Sequence, residues 1–319
     1  MKTLPLGATG ARVSALCLGA MNYGTKADER ESTRMLDRYT EAGGSFIDTA
    51  NNYAVWWGGD GTESERVLGK WMRERGNRDR LFLATKVGFN RPDVGRSLRG
   101  PVIRAEIEGS LKRLGTDRVD LYYAHTDVRD SPLEETLETF DALRREGKLR
   151  FIGCSNYRAW RIEQARALSR RQGWAEYCCI QQRHTYLRPA PGASFGAQLP
   201  VDAELADYCG AHAADFLLLG YSSTLGGAYT GRTDRPIPAQ YAGPDSDARL
   251  AALGAVAREV GATPVQVLYA WMLQSTPPVL PLVSAGSVSQ LDENLGSLSL
   301  TLSAEHMARL DGAGSAPGN

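Results

Sequence analysis

The chain has 319 residues, 42% of them hydrophobic and 23% charged, with Lys+Arg and Asp+Glu balanced at 37 each. That composition describes a globular chain whose core is large enough to need no disulfide or metal staple. The charge balance leaves no footprint for DNA, RNA or an acidic membrane surface, so a small molecule is the expected partner.

The five cysteines, Cys17, Cys154, Cys178, Cys179 and Cys209, show no CxxC spacing. They read as buried thiols, and no metal is expected. The opening residues lack the apolar stretch of a signal peptide, and no apolar run reaches the ~18 residues of a membrane span. A cytoplasmic location is the expectation, and oligomeric state is left open.

In chain order, residues 3–6 and 11–13 flank Gly7-Ala8-Thr9-Gly10 and predict a hairpin, placed to cap the bottom of a barrel. Short apolar runs then predict strands at 15–19, 45–49, 81–86, 119–125, 151–154, 179–182, 216–221 and 279–283. Amphipathic stretches separate them. Pro101 opens one helix and Gly115 stops it; Ser131-Pro132 opens the next, Thr263-Pro264 a third, and Ser287 the last. Strand–helix alternation allows a closed barrel or an open doubly wound sheet. The repeat is unbroken and no G-x-G-x-x-G follows a strand, which favours the barrel. The predicted architecture is a (β/α)8 TIM barrel with an N-terminal β-hairpin cap, in one domain spanning 1–319. Its long segments 51–61, 184–201 and 222–246 all follow strands and so fall at the C-terminal face, where barrel active sites form.

Four chemically distinct residues mark that face. Asp48, Lys86 and His125 end three successive strands, and Tyr53 follows Asp48 by five residues. Reduction of a carbonyl requires a hydride on carbon and a proton on oxygen. A free phenol, with a pKa of about 10, is a poor acid, and a nearby ammonium is expected to lower that value. Lys86 is placed to do so, Asp48 to hold Lys86 charged and aimed, and His125 to orient the substrate oxygen or share the proton.

Phe46-Ile47-Asp48-Thr49-Ala50, Tyr53, Glu63-Ser64-Glu65 and Leu68-Gly69 resemble the first signature of the aldo-keto reductases. The run from Ser110 to Asp117, Val119-Asp120-Leu121-Tyr122 and His125 resembles the second, and Ala84-Thr85-Lys86-Val87 resembles the family's lysine strand. The similarity covers about residues 2 to 311. It implies that Asp48, Tyr53, Lys86 and His125 are the catalytic tetrad of an NAD(P)H-dependent enzyme. By the same resemblance Ser155, Asn156 and Gln181 bind the nicotinamide carboxamide, and Tyr221 stacks on its ring. Ser222, Leu225 and Gly227 form the pyrophosphate loop, and Gln290 and Asn294 meet the adenosine end.

The sequence departs from that family at two places. The segment Ser284-Ala285-Gly286-Ser287-Val288-Ser289-Gln290 contains no Lys or Arg for the 2′-phosphate of NADP. Ser284, Ser287 and backbone N–H groups near Gly286 remain as phosphate donors, with Arg232 or Arg235 as substitute cations. NADPH is the family expectation, and NADH the alternative that the missing cation raises. The second departure is the insertion of Trp56 and Trp57 after Tyr53; with Phe89 they read as a substrate wall. The rim residues Asp127, Arg129 and Arg188 point to a keto-sugar or another polar metabolite.

Three rival readings follow from the same residues. Gly192-Ala193-Ser194-Phe195-Gly196 matches a serine-hydrolase motif but lacks the strand and helix it needs. Lys86 at a strand end is also the mark of a Schiff-base aldolase, which needs a lysine of depressed pKa. A cofactor-binding, non-catalytic regulatory subunit is the third.

Overall fold

The computed structural model describes residues 1–91 and 94–314. A hairpin comes first, with β1 (Thr3–Pro5) antiparallel to β2 (Arg12–Ser14). Parallel strands then close into an eight-stranded barrel: β3 (Cys17–Gly19), β4 (Phe46–Asp48), β5 (Phe82–Val87), β6 (Val119–Ala124), β7 (Leu149–Ser155), β8 (Tyr177–Arg183), β9 (Leu217–Tyr221) and β10 (Val279–Val283). Closure is made by β10 pairing with β3. Between successive strands run α1 (Glu29–Glu41), α2 (Glu63–Arg75), α3 (Gly100–Leu114), α4 (Leu133–Arg145), α5 (Ala159–Gln172) and α6 (Ala203–Ala211). Two helices, α7 (Pro244–Glu259) and α8 (Pro264–Gln274), separate β9 from β10, and α9 (Val288–Gly296) and α10 (Ala304–Gly312) follow it. This is the (β/α)8 barrel with a hairpin that the sequence predicts. No helix among the described residues is long and apolar enough to cross a membrane.

Strand periodicity sorts the apolar residues into two layers. Phe46, Phe82, Ala84, Leu121, Tyr123, Cys179, Leu219 and Leu280 fill the barrel interior. Their chain neighbours Ile47, Leu83, Tyr122, Ile180 and Leu218 face the helices in a second, larger cluster. All five cysteines are buried and free. Leu6 and Val13 of the hairpin are fully buried in the interior cluster, so the hairpin plugs the barrel. Gly7 permits this approach: its φ is +52°, and a Cβ there would lie 2.4 Å from the Asp215 carbonyl oxygen, just before β9.

Several boundaries differ from the sequence reading. β7 and β8 extend beyond 151–154 and 179–182, because both neighbours of each offer ladder partners to polar residues: Ser155 pairs with Gln181 and Arg183 with Tyr221. The strands expected at 15–19 and 45–49 shorten to three residues each, and His125 falls just outside β6. The expected loop 222–246 ends early, because Pro244 starts α7. The predicted punctuation holds at Pro101 and Gly115, at the Thr263–Gln266 capping box, and at the Ser287 N-cap.

Candidate active site

Asp48 and Lys86 share the inward parity of Phe46 and Ala84 but sit at the open end of the barrel, and neither has exposed surface. Tyr53, 6% exposed, reaches the same point from the β4–α2 loop. The Lys86 ammonium donates to Asp48 Oδ1, to the Tyr53 hydroxyl oxygen at 2.6 Å and to the Thr49 carbonyl at 2.7 Å. These three acceptors use all three N–H bonds of the ammonium. Tyr53 donates to Asp48 Oδ1 at 3.2 Å, and Gln181 donates to Asp48 Oδ2 at 2.9 Å. Complete hydrogen bonding is the condition on which a buried ion pair offsets its desolvation, and this pair meets it.

The electrostatics reverse one expectation. Burial, and after it the Asp48 carboxylate, hold the Tyr53 phenol well above its ordinary value rather than below it. Burial pushes the Lys86 ammonium down, while Asp48 opposes that shift. His125 is held well below its ordinary range, first by burial and then by the Lys86 charge, so its imidazole is neutral at neutral pH. Its ring lies 6.2 Å from that of Tyr53 and meets the edge of Phe89 at 4.6 Å. Its Nδ1 is buried without a hydrogen-bond partner among the described residues.

Two rival readings lose their geometry here. A Schiff-base lysine needs a free lone pair and an approach path, whereas Lys86 is fully buried with every N–H engaged. Ser194 sits on the exposed loop between β8 and α6, where its hydroxyl accepts the Gly196 N–H at 3.4 Å.

The sequence marks Ser64, Glu65 and Arg113 only as motif residues; the structure shows what they do. Ser64 bonds Thr49 Oγ1 at 2.7 Å and donates to the Ala20 carbonyl at 2.8 Å. Buried Glu65 accepts from Thr85 Oγ1 and from Arg113 Nε, each at 2.6 Å. Asn51, missed in the sequence reading, donates to Glu106 at 2.6 Å, and Arg91 pairs with the same carboxylate at 2.8 Å. These ties fix both ends of the loop that carries Tyr53.

On the other side of the mouth, β7 to β10 bring the remaining polar residues together. Buried Ser155 ends β7. Asn156 follows it with φ +57°, and its side chain is fully engaged. The Asn156 amide oxygen accepts from the Tyr221 hydroxyl at 2.7 Å and Leu199 N–H at 3.1 Å, and its NH2 donates to the His125 carbonyl at 3.0 Å and Ser155 Oγ at 3.1 Å. Asn156 therefore locks strand ends together. After Tyr221, the residues Ser222, Leu225, Gly226 and Gly227 all take positive φ, a concentration of left-handed backbone. Exposed Arg232 is bound on two nitrogens by Asp234, at 2.9 and 2.7 Å.

Beyond β10, Asn294 donates to the Ser284 carbonyl at 3.2 Å, Gly286 N–H donates to Gln290 at 2.7 Å, and Ser287 Oγ caps Gln290 N–H at 3.3 Å. Val288 N–H donates to the Glu31 carboxylate of α1 at 3.0 Å, a contact the sequence reading lacks.

At the mouth, Trp56 is 52% and Trp57 38% exposed; Trp56 meets the edge of Tyr53 at 6.2 Å, and the two tryptophans meet at 5.5 Å. The polar rim residues are mutually neutralised: Asp127 pairs with Arg129 and with Arg161 at 3.2 Å, and Arg188 with Asp245 at 3.1 Å. A cavity of about 250 Å³ among the β8–α6 loop, α7, α8 and α10 is lined by His184, Arg249 and Trp271 and holds none of the four convergent residues. The chemistry, not this cavity, locates the site.

The model of the aldo/keto reductase family matches residues 15–315. An uncharacterized oxidoreductase of Bacillus subtilis, YrpG, is 30% identical, over 98% of this chain and 96% of its own length. Norsolorinic acid reductase stcV of Emericella nidulans is 31% identical over 95% of this chain and 78% of its own. An aryl-alcohol dehydrogenase [NADP(+)] of Phanerodontia chrysosporium is 28% identical over 95% and 83%. The chain is an oxidoreductase and belongs to the aldo/keto reductase family.

Proposed function

We propose that the chain reduces an aromatic aldehyde or ketone to the alcohol, with Tyr53 as the proton donor and a reduced nicotinamide cofactor as the hydride donor. The carrying observation is the buried cluster in which Lys86 donates to the Tyr53 oxygen at 2.6 Å while burial and Asp48 keep the phenol protonated. When bound, the nicotinamide supplies the hydride to the carbonyl carbon. Tyr53 gives its proton to the oxygen as negative charge develops there, and the Lys86 N–H stabilises the phenolate left behind. Asp48 balances the ammonium and aims it. Neutral His125 orients the carbonyl oxygen, its unpartnered Nδ1 leaving the ring free to choose the tautomer that donates.

The residues at the ends of β7 to β10 suit a dinucleotide. Ser155 and Gln181 serve the carboxamide, with Asn156 holding the strand ends that present them, and Tyr221 serves the ring. Ser222, Leu225 and Gly227 serve the pyrophosphate. Ser284, Gly286, Ser287, Gln290 and Asn294 serve the adenosine end. The left-handed loop after β9 supports this fit.

For the substrate, open Trp56 and Trp57 with half-buried Phe89 favour a flat ring over the sugar that the polar rim suggests, because that rim is consumed by its own ion pairs. The names of two relatives, an aryl-alcohol dehydrogenase and a norsolorinic acid reductase, agree with a reductase or dehydrogenase role, the first with an aryl substrate. The test follows loss of reduced nicotinamide absorbance with an aromatic aldehyde and with a keto-sugar, and isolates the product. The expected outcome is the aryl alcohol, with kcat/KM for the aromatic aldehyde at least about tenfold higher. Equal or better turnover of the sugar contradicts the substrate reading, and turnover of no carbonyl contradicts the reductase reading.

A further inference from the structure

We infer that Glu31 is a cofactor-specificity residue that makes NADH, not NADPH, the preferred cofactor. The inference rests on the cofactor placement proposed above. Glu31 lies in the first turn of α1, where its backbone N–H is capped by Asp28 at 2.8 Å. One carboxylate oxygen accepts from Val288 N–H at 3.0 Å, and the other from Arg34 at 2.7 Å. The chain thus sets its own anion against the β10–α9 loop, the side assigned to the adenosine ribose.

The surrounding charges point the same way. The loop from Ser284 to Gln290 contains no cation. Two of its other donors are met by neutral acceptors of the chain: Gly286 N–H by Gln290, and Gln290 N–H by Ser287. Two of the α1 cations hold an acid, Arg34 with Glu31 at 2.7 Å and Arg38 with Asp292 at 2.6 Å. Arg232, the substitute the sequence offers, is tied to Asp234. A 2′-phosphate, with its approach to two negative charges, would face the Glu31 carboxylate and have to displace it from Val288. A ribose 2′-hydroxyl has a proton to donate, and a carboxylate accepts it. One side chain therefore disfavours the first ligand and receives the second.

The test measures dissociation constants of NADH and NADPH by isothermal titration calorimetry, for the intact protein and for Glu31→Gln. Glutamine keeps an oxygen for Val288 N–H and removes only the charge; an unchanged thermal midpoint verifies the fold. The expected result is NADH at least about tenfold tighter in the wild type, with Glu31→Gln gaining about tenfold for NADPH and losing roughly threefold for NADH. NADPH binding as tight as NADH in the wild type, or an unchanged ratio in Glu31→Gln, overturns the role of Glu31 while leaving the reductase reading intact. Binding of neither cofactor overturns that reading itself, and this inference with it.

Discussion

Asp48 and Lys86, at the ends of β4 and β5, have no exposed surface, whereas the acid–base pair beside the β10–α9 loop, Glu31 and Arg34, is 24% and 60% exposed. The first pair is held by strand parity, by the Thr49 carbonyl and by Gln181, so neither partner can be altered without stranding the other in the barrel. The second lies where water can replace either partner, so its charge can vary with little cost to the fold. In this barrel the side assigned to proton delivery is fixed by burial, and the side assigned to cofactor choice is open to adjustment.

Removing one cation from each side tests the contrast most severely. Lys86→Met strands the Asp48 carboxylate, so we expect a loss of about 3–5 kcal/mol in urea unfolding and a fall in turnover of about 10³-fold. Arg34→Ala should cost at most about 1 kcal/mol and leave turnover near wild type. Equal losses from the two variants would erase the distinction. A smaller effect is expected at the mouth. Trp56→Ala should raise KM for an aromatic aldehyde about tenfold with kcat changed by no more than about twofold, as expected of a ring proposed to pack on substrate without taking part in the proton step. A collapse of kcat with KM unchanged would place Trp56 in the chemistry instead.

The pH dependence sharpens the same contrast. His125 is held neutral by burial and by Lys86, so kcat/KM for reduction should pass through pH 6.5 without an inflection. Activity should fall only on the alkaline side. The Tyr53 proton is retained by its upward shift, and Lys86, shifted down by burial, is the first to lose charge. An inflection near the free-histidine value would show that His125 titrates in the working range. Stability carries a signal of its own. Burial, then the Arg249 charge, hold His184 at about 4, below its ordinary value of 6.5. The unfolded chain takes up a proton that the folded one refuses, so the thermal midpoint should decline as pH falls from about 6.5 towards 4. Replacing His184 with Gln should flatten that part of the curve.

The barrel was legible because each strand is a short apolar run, and residues such as Asp48 and Lys86 stand out as charges at inward positions of those runs. Their convergence could also be read from parity, since Phe46 and Asp48, or Ala84 and Lys86, are two residues apart on one face. The direction of the Tyr53 shift was not legible, because it depends on burial beside Asp48, which spacing does not express. Nor was the consumption of the Asn156 side chain by partners on three other segments. Helix α7 was not singled out, because its apolar residues are mostly alanines that make a weak stripe. Glu31 and Val288 lie 257 positions apart and meet only because β10 closes on β3. The missing cation was visible in the sequence, but the anion opposite it required the closed barrel.

Substitution of Tyr53 tests the account most directly. Tyr53→Phe keeps the ring and removes the hydroxyl, so the reduction of an aromatic aldehyde and the binding of the nicotinamide cofactor can be measured on one preparation. The account predicts a fall in kcat of about 10²–10⁴-fold with cofactor affinity unchanged within about twofold. Turnover near the wild-type rate would contradict it, because the proton would then come from another group.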